Sequence, residues 1–188
     1  MSKDKRLALV LAINLTLVAG LLVAGLLTRS LGVLASGADY LGDALGTGLS
    51  LGARRLNRRN AIPLAAFVNS GFLLLVTLAV SSDAIVRLST GAPTVDAPPV
   101  IVVSVVAAGA MVACAAILGD VGGDLSMQSV MLDSLADAAA ALGVAVSGAI
   151  ILLTGGTYWL DPAVALAISL VVSYEATKLM RRARADFT

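Results

Sequence analysis

Two short segments of this chain each place a pair of aspartates four residues apart inside a long apolar stretch. Asp39 and Asp43 form the first pair, and Asp133 and Asp137 form the second. Residues at i and i+4 share one face of a helix, so each pair brings two like charges together. An ionised aspartate at the centre of a membrane helix costs about 2.5–3.5 kcal/mol on insertion scales. Two such pairs need an opposite charge, and a divalent cation is the simplest candidate.

Other residue types that bind metals or perform catalysis are scarce. Histidine is absent, which removes the commonest metal ligand and general base. The single cysteine, Cys114, lies in an apolar stretch, where we expect a small buried hydrophobe and no disulfide. Four aspartates suit a tetrahedral ion such as Zn²⁺ and also harder ions such as Mn²⁺. Ca²⁺ and Mg²⁺ would require further oxygens from water or from the backbone.

The same four carboxylates suggest a coupling between metal and protons. In a medium of low dielectric constant, adjacent carboxylates cannot all remain ionised when the site is empty. The empty site therefore holds one or more protons, and an arriving cation displaces them because its ligands must be deprotonated. A site that holds either protons or metal, and opens alternately to each side, is a proton–metal exchanger.

The composition predicts an all-α membrane protein. Of the 188 residues, 59% are hydrophobic and only 13% are charged, and the net charge of +1 argues against a nucleic-acid partner. Apolar stretches long enough to cross the hydrocarbon core recur six times. We predict transmembrane helices at about 7–28, 31–53, 62–86, 98–118, 127–154 and 159–180. They form a single domain over residues 1–188, in which we expect no soluble domain after the sixth span.

The distribution of basic residues predicts the orientation. Eleven basic residues fall on one side of the membrane if both termini share that side, and only Arg29 and Arg87 fall on the other. The eleven are Lys3, Lys5, Arg6, Arg54, Arg55, Arg58, Arg59, Lys178, Arg181, Arg182 and Arg184. By the positive-inside rule, both termini are cytoplasmic. The second and fifth spans then run in opposite directions, and their aspartate pairs lie at similar depths.

Several segments together resemble the cation diffusion facilitator family. The most specific runs from Gly123 through Asp133-Ser-Leu-Ala-Asp137-Ala to Gly143-Val, followed by Tyr158-Trp-Leu-Asp161-Pro162. The segment Ser30-Leu-Gly-Val-Leu-Ala before the first aspartate pair, and Asp83-Ala-Ile-Val-Arg-Leu after the third span, resemble the same family. The similarity covers nearly the whole chain.

This resemblance implies a function, a site and an assembly. Members have a cation-efflux transmembrane domain of six helices, form homodimers, and export divalent metals from the cytoplasm in exchange for protons. Their transport site uses two residues four apart on each of the second and fifth helices, which correspond to Asp39, Asp43, Asp133 and Asp137 here. The expected protein is a transporter and not an enzyme, located in the lipid bilayer of a bacterial inner membrane. Its substrate is Zn²⁺ or a broader set that includes Mn²⁺, Fe²⁺, Co²⁺ and Cd²⁺, and no cofactor is implied.

The chain departs from the family pattern in three places. Zinc-transporting members typically carry histidine at the position of Asp133, which leaves the metal preference open. The segment Arg58-Arg-Asn-Ala-Ile-Pro63 replaces the usual His-Pro and acidic pattern, so we expect no secondary metal site there. The metal-sensing cytoplasmic domain that usually follows the sixth helix is missing, so either this member lacks that domain or the chain is truncated.

Two other classes of protein are compatible with aspartates in a membrane. In a cation channel, acidic side chains select the ion, but four converging carboxylates would bind it too tightly for conduction. An intramembrane aspartyl protease needs one aspartate on each of two helices, and the doubled pairs here do not fit that pattern. Among the remaining polar residues, Asn14 and Asn69 are expected to bond between helices or to support the metal ligands, and Asp161 to cap the sixth helix.

Overall fold

The chain forms six long α-helices. The computed structural model describes the backbone of residues 3–56, 61–119 and 125–185, and the side chains of residues 5–49, 52, 64, 66–119 and 130–184. Over these residues the helices are α1 (Lys3–Thr28), α2 (Leu31–Leu56), α3 (Ala61–Thr90), α4 (Ala97–Gly119), α5 (Leu125–Thr154) and α6 (Leu160–Ala185). The predicted all-α fold of six helices is confirmed. The prediction that residues 58–63 form no secondary metal site concerns side chains outside the described residues.

Three of the turns between helices use a left-handed backbone conformation. Gly91 follows α3 with a φ of 105°, and Gly155 follows α5 with a φ of 65°. The N–H of each glycine bonds to the carbonyl four residues earlier, which closes the last helical turn. Arg29 takes a φ of 60° in the turn between α1 and α2, although it is not a glycine. These turns are short, so consecutive helices run antiparallel.

Five helices are long and apolar enough to cross a bilayer, judged by length and composition over the described residues. The exception is α2, whose interior carries Asp39, Asp43 and several glycines. Every residue from Leu31 to Ala44 is nevertheless buried or half-buried. Other helices therefore shield this part of α2 from its surroundings, which explains how a membrane domain accommodates a helix with two acidic residues in its interior.

The position of α2 follows from its neighbours. It packs against α1, α3, α5 and α6, while α4 packs mainly on α5 and α3 mainly on α6. Close approach depends on small residues: a Cβ atom at Gly42 would lie 2.6 Å from Cδ2 of Leu73 on α3. Tyr40, Met111 and Val144 are fully buried in the core that these helices share. Cys114 is also buried with a free thiol, as predicted.

Candidate metal site between α2 and α5

Helices α2 and α5 cross with opposite directions at the level of the aspartate pairs. The hydroxyl of Tyr40 donates to the backbone carbonyl of Asp137 at 3.4 Å. Gly32 lies eight residues before Tyr40 on α2, and it contacts the side chain of Val144, which lies seven residues after Asp137 on α5. Residue numbers thus rise along one helix as they fall along the other, and this register brings the two pairs of aspartates to the same level.

Three of the four predicted aspartates form a compact group. One carboxylate oxygen from each of Asp39, Asp43 and Asp137 lies within 4.8 Å of the other two. Asp137 is buried, and both Asp39 and Asp43 are half-buried. Oxygen atoms at these separations can be ligands of one divalent cation, because two ligands on opposite sides of an ion with bonds of 2.0–2.4 Å lie about 4–5 Å apart.

Asp133 lies outside this compact group. It is exposed, one helical turn before Asp137 on α5. Its charge nevertheless acts on Asp39, Asp43 and Asp137. The four carboxyl groups therefore lie near one another, but only three of them converge in the arrangement that the structure describes.

Acidic groups dominate the charge around the four aspartates. Among the described residues, the charged groups with the largest effect on these carboxylates are the carboxylates themselves and Glu175 of α6, which acts on Asp133. Lys178 lies 3.3 Å from Glu175 and offsets part of that charge, but none of the described lysines and arginines is among the groups with the largest effect on the four carboxylates. Such a concentration of negative charge favours a bound cation or bound protons.

Tyr40 is a site neighbour that the sequence did not single out. It directly follows Asp39, is fully buried, and bonds to the backbone of Asp137. The signal that could have identified it is a tyrosine inside a membrane span, because a buried hydroxyl requires a partner. Its side chain therefore reaches from α2 to the backbone of α5 beside the carboxylates.

A buried asparagine supports the same part of α2 from the other side. Nδ2 of Asn69 on α3 donates to the backbone carbonyl of Gly42 at 3.2 Å, which confirms the bond between helices predicted for Asn69. Gly42 directly precedes Asp43, so this contact ties the segment of α2 that carries Asp43 to α3. Oδ1 of Asn69 and Oδ1 of Asn14 are both buried and have no hydrogen-bond partner among the described residues.

A comparison with known families agrees with this fold. The family model of the cation efflux transmembrane domain matches residues 7–187. The chain belongs to this family. The resemblance noted in the sequence is thereby confirmed, and the six helices described above are those of a cation efflux transmembrane domain.

Curated relatives of this cation efflux domain are transporters of divalent metals. The zinc transporter ZitB of Yersinia pestis is 26% identical over 193 residues, which cover 96% of this chain and 61% of the relative. The cadmium, cobalt and zinc/H(+)-K(+) antiporter of Bacillus velezensis is 26% identical over 190 residues, which cover 90% of this chain and 60% of the relative. The chain thus spans about three fifths of the length of the curated relatives that it matches.

Proposed function

We propose that this protein moves divalent metal cations out of the cytoplasm in exchange for protons, through a site formed by Asp39, Asp43, Asp133 and Asp137. The observation that carries this proposal is the convergence of three carboxylates from two antiparallel helices within 4.8 Å. Membership of a cation efflux family supports transport as the class of activity. No cofactor is needed, because the metal ion is the substrate.

In this proposal the compact group supplies the core of the metal site. Asp39, Asp43 and Asp137 each contribute one oxygen, and Asp133 completes a tetrahedral set by moving toward the ion from its position one helical turn before Asp137. The relatives are transporters named for zinc, cadmium and cobalt, which supports Zn²⁺, Cd²⁺ and Co²⁺ as substrates. Four carboxylates without histidine also accommodate Mn²⁺ and Fe²⁺, which accept oxygen ligands readily.

Proton exchange follows from mutual repulsion within the same group. When the site is empty, the crowded carboxylates reduce their charge by binding protons, since the groups that act most strongly on them among the described residues are other carboxylates. A metal ion must displace these protons in order to bind. Binding at one side of the membrane and release at the other, with the opposite exchange of protons, would complete one cycle.

We also propose the membrane, the orientation and the oligomeric state in which the protein acts. It lies in a bacterial inner membrane with both termini cytoplasmic, which the distribution of basic residues supports. It acts as a homodimer, as the family resemblance implies. Efflux from the cytoplasm is supported by the name of the family.

The proposal is tested with the purified protein in liposomes that enclose a pH-sensitive dye. Addition of Zn²⁺ outside should cause proton movement, and both Asp43→Ala and Asp137→Ala should abolish it. Asp83→Ala is the matched control, because Asp83 is an exposed aspartate that pairs with Arg87, away from the site. Full proton movement in both site variants would overturn the four-carboxylate site. Metal flux without any proton movement would instead indicate a channel.

A further inference from the structure

Asp161 is a buried carboxylate that α6 contributes to the beginning of α2. The residue is 1% exposed. The hydroxyl of Ser30 donates to its Oδ1 atom, the backbone N–H of Leu31 donates to Oδ2 at 2.7 Å, and that of Gly32 donates to Oδ1 at 3.2 Å. The Ser30 oxygen also accepts a bond from the backbone N–H of Val33 at 3.1 Å. We call Ser30, Leu31, Gly32 and Asp161 the α2–α6 clasp.

The clasp uses the polarity of a helix N-terminus. The first backbone N–H groups of a helix have no partners within the helix, and the helix dipole favours a negative charge there. Asp161 meets both needs for α2 although it belongs to the first turn of α6. The expectation that Asp161 serves as the cap of its own helix is therefore wrong, because its carboxylate bonds to α2.

Two further helices hold the turn that precedes the clasp. Nη1 of Arg87, near the end of α3, donates to the carbonyl of Arg29 at 2.8 Å. The backbone N–H of Asp96, just before α4, donates to the carbonyl of Thr28 at 3.3 Å. Together with Asp161, these contacts fix the start of α2 from α3, α4 and α6 at the end of the bundle opposite the two termini.

Because these contacts fix the N-terminus of α2, they also determine where the aspartates of α2 lie. Leu31 and Asp39 are two helical turns apart, about 12 Å along the helix axis. Since α2 is continuous between them, a shift or rotation of its start moves Asp39 and Asp43 by a similar amount. Groups that must converge on one ion tolerate little displacement, and a misplacement of about 1 Å in a reacting site can cost about 100-fold.

We propose that Asp161 is a positioning residue for the metal site: through the α2–α6 clasp it sets the depth and rotation of α2, and so the convergence of Asp39 and Asp43 with Asp137. This inference rests on the proposed function, since it assumes that these carboxylates bind metal. Asparagine replaces Asp161 only in part, because it loses the charge and its amide NH2 would place a donor against donors of the clasp, such as the N–H of Leu31. Glutamate retains the charge and both acceptors on a longer side chain.

The experiment measures Zn²⁺ affinity by titration calorimetry on the full chain, purified in detergent and confirmed as folded and monodisperse. Asp161→Asn should weaken Zn²⁺ binding by about tenfold or more, as loss of a residue that orients metal ligands does. Asp161→Glu should recover part of the affinity. Asp96→Asn is the matched control, because its exposed carboxylate at the same end of the bundle lies outside the clasp, and it should bind like the wild type. A purely structural role would lower the folded fraction but not the affinity of the folded protein.

Other outcomes separate this inference from the proposed function. Wild-type affinity in folded Asp161→Asn, together with lost binding in Asp43→Asn, would overturn the positioning role alone. Wild-type affinity in Asp43→Asn would overturn the metal site itself. If Asp161→Asn does not fold, Ser30→Ala carries the test, because it removes one of the three donors to Asp161 together with the bond from Val33. It should weaken binding by about threefold, near the lower end of what one hydrogen bond contributes. Unchanged affinity in Ser30→Ala would then overturn the inference.

Discussion

Asp137 is 5% exposed and belongs to the group of three converging carboxylates, whereas Asp133, one turn away on the same helix, is exposed. At the scale of single residues, the four aspartates therefore differ in their environments, although the sequence presents them as two equivalent pairs. Asp137 lies beside Asp39 and Asp43, and its backbone carbonyl accepts the bond from Tyr40. Asp133 is exposed, so in the proposed site it has more freedom to approach or leave the ion.

This difference predicts unequal effects of the same substitution. Asp137→Asn should weaken Zn²⁺ binding at least about tenfold more than Asp133→Asn, because it removes a charged ligand from the core of the site. Both substitutions change the charge equally and preserve the size of the side chain, so each controls for the other. Titration calorimetry on the two purified variants provides the measurement. Equal losses of affinity would show that Asp133 is as central as Asp137.

The residue at position 133 also predicts metal preference. Asp133→His should shift the preference toward Zn²⁺ and away from Mn²⁺, because imidazole suits Zn²⁺ and an oxygen ligand suits Mn²⁺. Competition between Zn²⁺, Mn²⁺, Fe²⁺, Co²⁺ and Cd²⁺ for the purified protein measures this ranking. Asp133→Asn serves as the control for loss of charge alone. An unchanged ranking in Asp133→His would mean that this position does not select the metal.

At the scale of helices and turns, α2 differs from the other five. It is buried or half-buried from Leu31 to Ala44, and three other helices hold the turn from which it starts. That turn contains Arg29, whose φ of 60° is unfavourable for a residue with a Cβ atom. The carbonyl of Arg29 accepts the bond from Arg87, so the contacts of the turn hold this conformation in place.

Relief of this strain should stabilise the protein. Arg29→Gly should raise the free energy of unfolding by about 0.5–1 kcal/mol, since glycine adopts a positive φ without steric cost. The backbone carbonyl that bonds to Arg87 is retained. Arg29→Ala is the control: it removes the same side chain but keeps the Cβ atom, and it should give no such gain. Thermal unfolding in detergent measures both, and an equal gain in the two variants would assign the effect to loss of the arginine side chain.

At the scale of the whole molecule, the bundle encloses acidic groups without a strong compensating cation among the described residues. In the exchange proposed above, protons and metal ions compete for the same carboxylates. The metal-free state would then bind more protons than the metal-bound state, so lower pH would favour the metal-free state. Higher pH would strengthen metal binding until the empty site is fully deprotonated.

This competition predicts a steep pH dependence of Zn²⁺ affinity. Each proton released on binding changes the affinity by about tenfold per pH unit, so release of two protons gives about 100-fold. Calorimetry at several pH values measures the slope, and Asp43→Asn should reduce it because one competing carboxylate is lost. Tight binding that does not vary with pH would contradict proton exchange while leaving the metal site intact.

Local patterns in the sequence determine the helices of this protein and the placement of each aspartate pair on one helical face. Apolar stretches of about 20 residues specify helices that span a membrane, and the spacing of Asp39 and Asp43, like that of Asp133 and Asp137, places each pair on one helical face. These properties depend only on residues close together along the chain. The six helices and the candidate carboxylates could therefore be predicted without coordinates.

Contacts between distant residues were decided only by the tertiary structure. The burial of α2 depends on which helices surround it, and the separation of Asp133 from the compact group depends on how α2 crosses α5. The role of Asp161 shows this most clearly. A carboxylate can accept bonds from the N–H groups of any helix N-terminus within reach. Along the sequence, the nearest N-terminus is that of its own helix, α6. Packing placed Asp161 against Leu31 and Gly32, about 130 residues away, where it holds the helix that carries the first aspartate pair.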